Sequence, residues 1–224
     1  MNEMSFGIFG AGGATRALLP MLKDCLVRQD EMSSVPKLRT TEKFCLIESN
    51  PHASQIDGYL IADEESFFGK SNVMDPCCIV IGSSIDRKRV ADRINFYERP
   101  TFSLFSSSSH VVTTQPIGKG AIVCANTYIS VNVRIGISFF MNIGAILEHD
   151  CEIGNFVTFS PGVICCGNVH IDDEVFVGAG AVIINGTSSK PLKIGRGSRI
   201  GAGAVVTSSV GPGQTVAGNP ARSI

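Results

Sequence analysis

From Ile117 to Ile183 every sixth residue is apolar: Ile117, Val123, Ile129, Ile135, Met141, Leu147, Ile153, Phe159, Cys165, Ile171, Val177 and Ile183. The chain is 44% hydrophobic, so such a run arises by chance in roughly 5 × 10⁻⁵ of trials. Four residues after each comes a second inward-type residue: Ala121, Thr127, Val133, Phe139, Ala145, Cys151, Val157, Val163, Val169, Val175, Ala181 and Thr187. All but Phe139 are small or medium. A six-residue period matches neither the helical repeat nor strand alternation, and predicts short strands with a turn every six residues, stacked as a solenoid. One large and one small inward side chain per strand fill a narrow prism.

The frame breaks after Ile183 and resumes at Ile194, Ile200 and Val206, which predicts a protruding loop over Gly186–Pro191. Ahead of the repeats the pattern changes. An apolar strand over residues 4–12 runs into glycines, and a helix-like stretch follows from Thr15 to Arg28. Further strands are predicted at Phe44–Ile47 and Cys77–Ile81, and a basic helix from Ile85 to Phe96. Strands alternating with helices predict a small, Rossmann-like parallel α/β unit. The serine-rich stretch Pro100–His110 reads as the junction. The division expected is an α/β domain over residues 1–105 and a repeat domain over 106–224.

With 19 basic against 20 acidic residues, the chain lacks the basic excess that nucleic acid or an anionic membrane calls for. No apolar stretch is long enough to span a bilayer, and the N-terminus shows no basic region followed by an apolar one. A cytoplasmic location is expected. The eight cysteines include no C-x-x-C pair, and Cys151 and Cys165 fall on inward positions. They read as reduced thiols in a core, with no zinc site.

Units such as Ile117-Gly-Lys-Gly, Ile194-Gly-Arg-Gly and Ile200-Gly-Ala-Gly resemble the hexapeptide-repeat acyltransferases. Three further motifs narrow this: Phe9-Gly-Ala-Gly-Gly13, His149-Asp-Cys-Glu-Ile-Gly154 and Gly218-Asn-Pro-Ala221. In this order they resemble the bacterial sugar acetyltransferases related to sialic acid O-acetyltransferase and the bacillosamine-pathway N-acetyltransferase. The resemblance implies a left-handed parallel β-helix, against the usual right-handed crossover. It also implies acetyl-CoA as donor, a nucleotide-linked amino sugar as acceptor, no metal, and a homotrimer with sites between prisms. The specific expectation is a UDP-linked 4-amino-4,6-dideoxy sugar. Sugar O-acetylation and non-catalytic nucleotide-sugar binding are the rival readings.

Acetyl transfer to an amine needs a base, and His149 is the candidate. Leu147 and Cys151 take the inward positions of its hexad, leaving His149 on a turn or outward position. Asp150 is placed to hold the other ring nitrogen. Gly167 is expected one coil below His149, where a missing side chain admits the pantetheine arm. By resemblance, Asn142, Ala179, Ala202, Gly203 and Pro220 line the coenzyme A cleft. The turn at Gly12, Gly13 and Ala14, with Glu48 and Gly82 at the ends of later strands, is expected to hold the nucleotide sugar. The third glycine of a dinucleotide fingerprint is replaced by Thr15, which argues against NAD. Several relatives carry a histidine where Ala14 stands, and some carry one where Thr158 stands. The γ-class carbonic anhydrases share the fold, but here too few histidines fall in register to hold zinc.

Overall fold

The computed structural model describes residues 5–10, 12–19, 26–28, 43–70 and 75–224. The first part comprises β1 (Ser5–Phe9), α1 (Gly13–Leu18), β2 (Leu26–Arg28), β3 (Lys43–Glu48), β4 (Gln55–Ile56), β5 (Tyr59–Asp63), α2 (Glu64–Lys70), β6 (Cys77–Ile79) and α3 (Ser84–Phe96). Five strands form one sheet in the order β4-β5-β3-β1-β6. Its central strands are covered on both faces, with Ile8, Phe9, Leu46, Ile47 and Cys78 all buried, so they read as continuous apolar runs. Helix α3 starts where Ser83 Oγ accepts from Asp86 N at 3.3 Å, a cap for a free backbone donor. It buries Val90, Ala91 and Ile94.

Two expectations are corrected. The sheet is not wholly parallel, because the short β4 runs antiparallel to β5. The helix predicted over Thr15–Arg28 ends at Leu18, residues 20–25 lie outside the described set, and Leu26–Arg28 is a strand antiparallel to Ser103–Phe105. The cause is tertiary: the first rung of the prism offers an open edge, and β2 satisfies its backbone groups.

The prism is a left-handed β-helix of parallel sheets, and its ladder begins at Ser103–Phe105, which pairs with Ile122–Val123. Strands two or three residues long stack at an offset of eighteen residues, as in Tyr128↔Ile146↔Ile164. Side chains at both inward positions are buried, from Ala121 through Ile183. Each turn carries a residue at positive φ, again every sixth: Asn126, Asn132, Ser138, Gly144, Asp150, Phe156, Gly162, Asn168, Glu174 and Gly180. Asn, Asp and Gly dominate because they tolerate the left-handed region best. After Ile183 the offset becomes twenty-three (Val169↔Leu192), and the five extra residues form the loop where Thr187 and Lys190 bridge. Thr187, predicted to point inward, is exposed in that loop: the insertion takes it out of the coil.

The interior is uniform, but the three outer faces differ. On the nine-stranded face Ile122, Phe140 and Thr158 are buried. Ile122 and Phe140 pack with Phe6, Phe102 and Leu104 under the α/β unit. This capped face is closed at one end by β2 and at the other by Arg222–Ser223, both antiparallel. The four-stranded face points Arg134, Glu152, His170 and Lys193 outward. The six-stranded face points Tyr128, Ile146, Ile164, Val182 and Val205 outward, with Tyr128 38% and Ile164 37% exposed. No described helix is long and apolar enough to cross a membrane.

Candidate active site

His149 stands on the edge where the apolar face turns into the charged one, between Ile146–Leu147 and Glu152–Ile153. Its side chain is about half exposed. Asp150 follows at φ 57°, which swings its carboxylate back so that Oδ2 lies 2.8 Å from His149 Nδ1. The hydrogen bond to Asp150 raises the His149 pKa, and the carboxyl of Asp150 is held low by His149 and then by Asn132. Asn132 Nδ2 donates to Asp150 Oδ1 at 3.1 Å, so Asn132 fixes Asp150 as Asp150 fixes the imidazole. Asn132 was not among the predicted residues. It stands eighteen residues before Asp150, in the same column one coil away.

Gly167 occupies the next coil below His149. A Cβ there would lie 2.5 Å from His149 Cε1 and 2.7 Å from Nε2. The space left by the missing side chain is therefore taken by the imidazole itself, which lies flat over the glycine. Along the same edge follows a cleft of about 590 Å³ lined by Ile184–Thr187, Lys190–Leu192 and Thr207–Ser209. The protruding loop forms one wall. Only the loop, not the cleft, was legible beforehand.

The remaining predicted donor contacts lie elsewhere. Asn142 opens the turn between Phe140–Met141 and Ile146–Leu147, where the capped face meets the apolar face. Its Oδ1 accepts from Ile143 N at 2.7 Å, which caps the turn. Ala179, Ala202 and Gly203 lie on this second edge in later coils, all exposed. Pro220 lies in the tail that bonds across Val205 through Gly218 O and Ala221 N. The predicted site residues are thus split between two edges that flank the apolar face.

At the C-terminal ends of β1 and β3, and beyond β6, a cleft of about 280 Å³ is lined by Gly10, Glu48, Ser49, Asn50, His52, Glu64, Ile81 and Arg89, among others. Strand ends of this kind are where open α/β sheets bind ligands. Of the predicted acceptor residues Glu48 lines the cleft. Gly12 and Gly13 are exposed beside it in sequence at the start of α1, Ala14 lies within α1, and Gly82 adjoins Ile81. His52, Asn50 and Arg89 were not predicted; no motif marks them.

A left-handed prism of hexapeptide coils, with a histidine–carboxylate pair on an open edge, is the build of a hexapeptide-repeat acyltransferase. Residues 168–208 match the hexapeptide repeat of succinyl-transferase. GDP-perosamine N-acetyltransferase of Escherichia coli O157:H7 is 35% identical over 219 residues, 98% of this chain and 96% of that protein. WeeI from Acinetobacter baumannii AYE has 33% identity and a TM-score of 0.89, covering 98% of this chain and all of that one. The acetyltransferase domain of PglB from Neisseria gonorrhoeae FA1090, solved with acetyl coenzyme A, has the same fold at 21% identity, with a TM-score of 0.84 and full coverage of both chains. The chain belongs to the hexapeptide-repeat acetyltransferases, in the branch of the nucleotide-sugar N-acetyltransferases. It is an enzyme that uses acetyl-CoA, and the resemblance carried by its three motifs is borne out.

Proposed function

We propose that the protein transfers the acetyl group of acetyl-CoA to the amino group of a nucleotide-linked amino sugar, a 4-amino-4,6-dideoxy sugar in particular, with His149 as general base. The observation that carries this reading is the His149–Asp150 pair at 2.8 Å on an exposed edge, with Nε2 directed away from Asp150. Asp150 holds Nδ1 as the protonated tautomer, so Nε2 is the free base. The neutral amine attacks the thioester carbonyl and Nε2 takes its proton. The tetrahedral oxyanion collapses, the C–S bond breaks, and the proton passes from His149 to the leaving thiolate. In this reading the labour divides where the ladder begins: the α/β part before Ser103 holds the nucleotide, and the prism from Ser103 onward holds the acetyl group.

A homotrimer completes the site in this reading. Among the described residues nothing covers the apolar face, and its two edges carry His149 and Asn142 respectively. Rotational packing through that face sets one chain's His149 edge against its neighbour's Asn142 edge, and the coenzyme A cleft forms between them. GDP-perosamine, named for the relative from Escherichia coli O157:H7, makes guanosine carriers as relevant as the UDP carrier expected from sequence.

The test is thiol release from acetyl-CoA by wild type and His149→Ala, across UDP-, GDP- and dTDP-linked amino sugars with sialic acid alongside. Release with one amino sugar, lost by roughly 10²–10⁴-fold in the variant, is expected. Release with sialic acid alone would make the enzyme an O-acetyltransferase. Equal turnover by the variant would remove His149 as the base.

A further inference from the structure

Among the described residues Arg87 is the largest side chain with no exposure at all. It forms no ion pair with any described carboxylate. Its guanidinium donates instead to five backbone carbonyls: Nε to Ser138 O at 2.9 Å, one terminal nitrogen to Ile81 O at 2.7 Å and Gly82 O at 3.3 Å, and the other to Phe156 O at 2.8 Å and Val157 O at 3.1 Å. Burial lowers its pKa to about 9, which leaves it a cation at neutral pH. Taking an unpaired cation out of water is costly, and a hydrophobic side chain at this point of α3 would pack without that cost. What the guanidinium adds is geometry, a rigid fork bonded to both halves of the molecule at once.

The five acceptors fall into two groups. Ile81 and Gly82 form the turn between β6 and α3, and Ile81 lines the cleft that contains Glu48 and His52. Ser138, Phe156 and Val157 belong to two successive coils of the prism. A second tie runs parallel: Thr158 Oγ1 donates to Gly82 O at 2.8 Å, with Ser84 Oγ 3.5 Å from the same hydroxyl.

The prism keeps its usual turn here but places an unusual residue in it. Phe156 sits at φ 57°, a turn position that neighbouring coils fill with Asn, Asp, Gly, Ser or Glu. For a bulky aromatic residue this conformation is a strained outlier. Its ring packs in the α/β core with Phe9, Phe67 and Ile94, while its carbonyl meets Arg87.

We propose that Arg87 is a positioning residue, which fixes the cleft wall at Ile81–Gly82 to the acetyl-transferring prism and so sets where the acceptor sugar is presented. This rests on the reading that the cleft holds the acceptor's nucleotide. It separates two roles that a shared core would merge, since the hydrophobic contacts beneath the α/β unit provide adhesion and Arg87 provides register.

The experiment uses the full-length enzyme with Arg87→Met, Arg87→Lys and Thr158→Val. In the absence of substrate, hydrogen exchange over residues 80–90 is expected to speed up at least tenfold in Arg87→Met, with the coils around Ile171–Ile183 unchanged. Unchanged exchange in that segment overturns the clamp whatever the acceptor proves to be. In turnover, the KM for the nucleotide sugar is expected to rise at least tenfold in Arg87→Met, with that for acetyl-CoA within twofold. Arg87→Lys, with its charge but no fork, recovers only part. A fall in kcat with both KM values unchanged is the mark of a smaller folded fraction, and it too overturns the proposal. If Arg87→Met does not fold, Thr158→Val, which removes only the second tie, decides: about a threefold rise in acceptor KM supports the joint, and none overturns it. Absence of turnover by the wild type strikes the acceptor reading instead, and hydrogen exchange still judges the clamp.

Discussion

The apolar and charged faces of the prism are built on one plan and have opposite surfaces. Their inward residues are interchangeable in kind, Leu147 and Cys165 behind one, Ile153 and Ile171 behind the other. Outward, the apolar face presents Tyr128, Ile146, Ile164, Val182 and Val205, the charged face Arg134, Glu152, His170 and Lys193. The coil constrains only what points inward, so the outward column is free to record what each face meets. A run of five outward apolar residues, from Tyr128 to Val205, is the kind of surface that marks an interaction site; a column of mixed charge is a solvated one. His149 stands on the edge that the two faces share, where a packed neighbour could enclose it on one side and leave water on the other.

The largest effect is expected from a charge placed on the apolar face. Ile164→Arg puts an unpaired cation at the centre of the proposed contact, where burying it costs about 3–5 kcal/mol per interface. Sedimentation should show monomers, and turnover should drop to the level of His149→Ala, a loss of roughly 10²–10⁴-fold. A monomer with full activity would show that one chain holds a complete site. Next in size is Gly167→Ala. The new Cβ meets the His149 ring at 2.5 Å, so the ring must move by about an ångström, enough for a loss on the order of 10²-fold. The trimer should survive this change, which separates damage to the edge from damage to the face.

How far the sequence disclosed this arrangement depends on how local each feature is. The interior was legible because burial at Leu147 or Val163 leaves a mark in a single letter, repeated at a fixed interval. Leu26–Arg28 was misread as helix because nothing local marks it as a strand; the open rung at Ser103–Phe105 decides. Asn132 was missed although the eighteen-residue offset that located Gly167 also leads from Asp150 to Asn132. Resemblance assigned Asn142 to the coenzyme A cleft beside His149, but a hexad spans a face and puts the two on different edges of one chain. Arg87 sat in a stretch read only as a basic helix, because burial of a cation among carbonyls leaves no trace in composition.

A smaller effect is expected at Asp150. Asparagine tolerates the left-handed turn, so Asp150→Asn keeps the corner while removing the carboxylate that raises the His149 pKa. In the proposed role His149 works only when neutral, so wild-type activity is expected to be lost as pH falls through that raised pKa. In the variant the pKa drops back toward its ordinary value, and the acid limb of the kcat profile moves to lower pH. The plateau should fall roughly 10-fold or more as the tautomer is no longer enforced. An acid limb that stays in place would mean that another group titrates there.

The smallest effect belongs to the charged face. Glu152 lies 3.8 Å from Arg134 and 3.9 Å from His170, and exposed pairs of this kind contribute about 0–1 kcal/mol. Glu152→Gln should therefore leave turnover and assembly within about twofold of wild type, measured in the same assays as Ile164→Arg. The strand carrying it is only one turn beyond His149, closer in sequence than Ile164. If proximity to the histidine governed sensitivity, Glu152 would matter more than Ile164; if the neighbour completes the site, the order is reversed. A tenfold loss in Glu152→Gln would place substrate or a partner on the charged face and undo the division between the two surfaces.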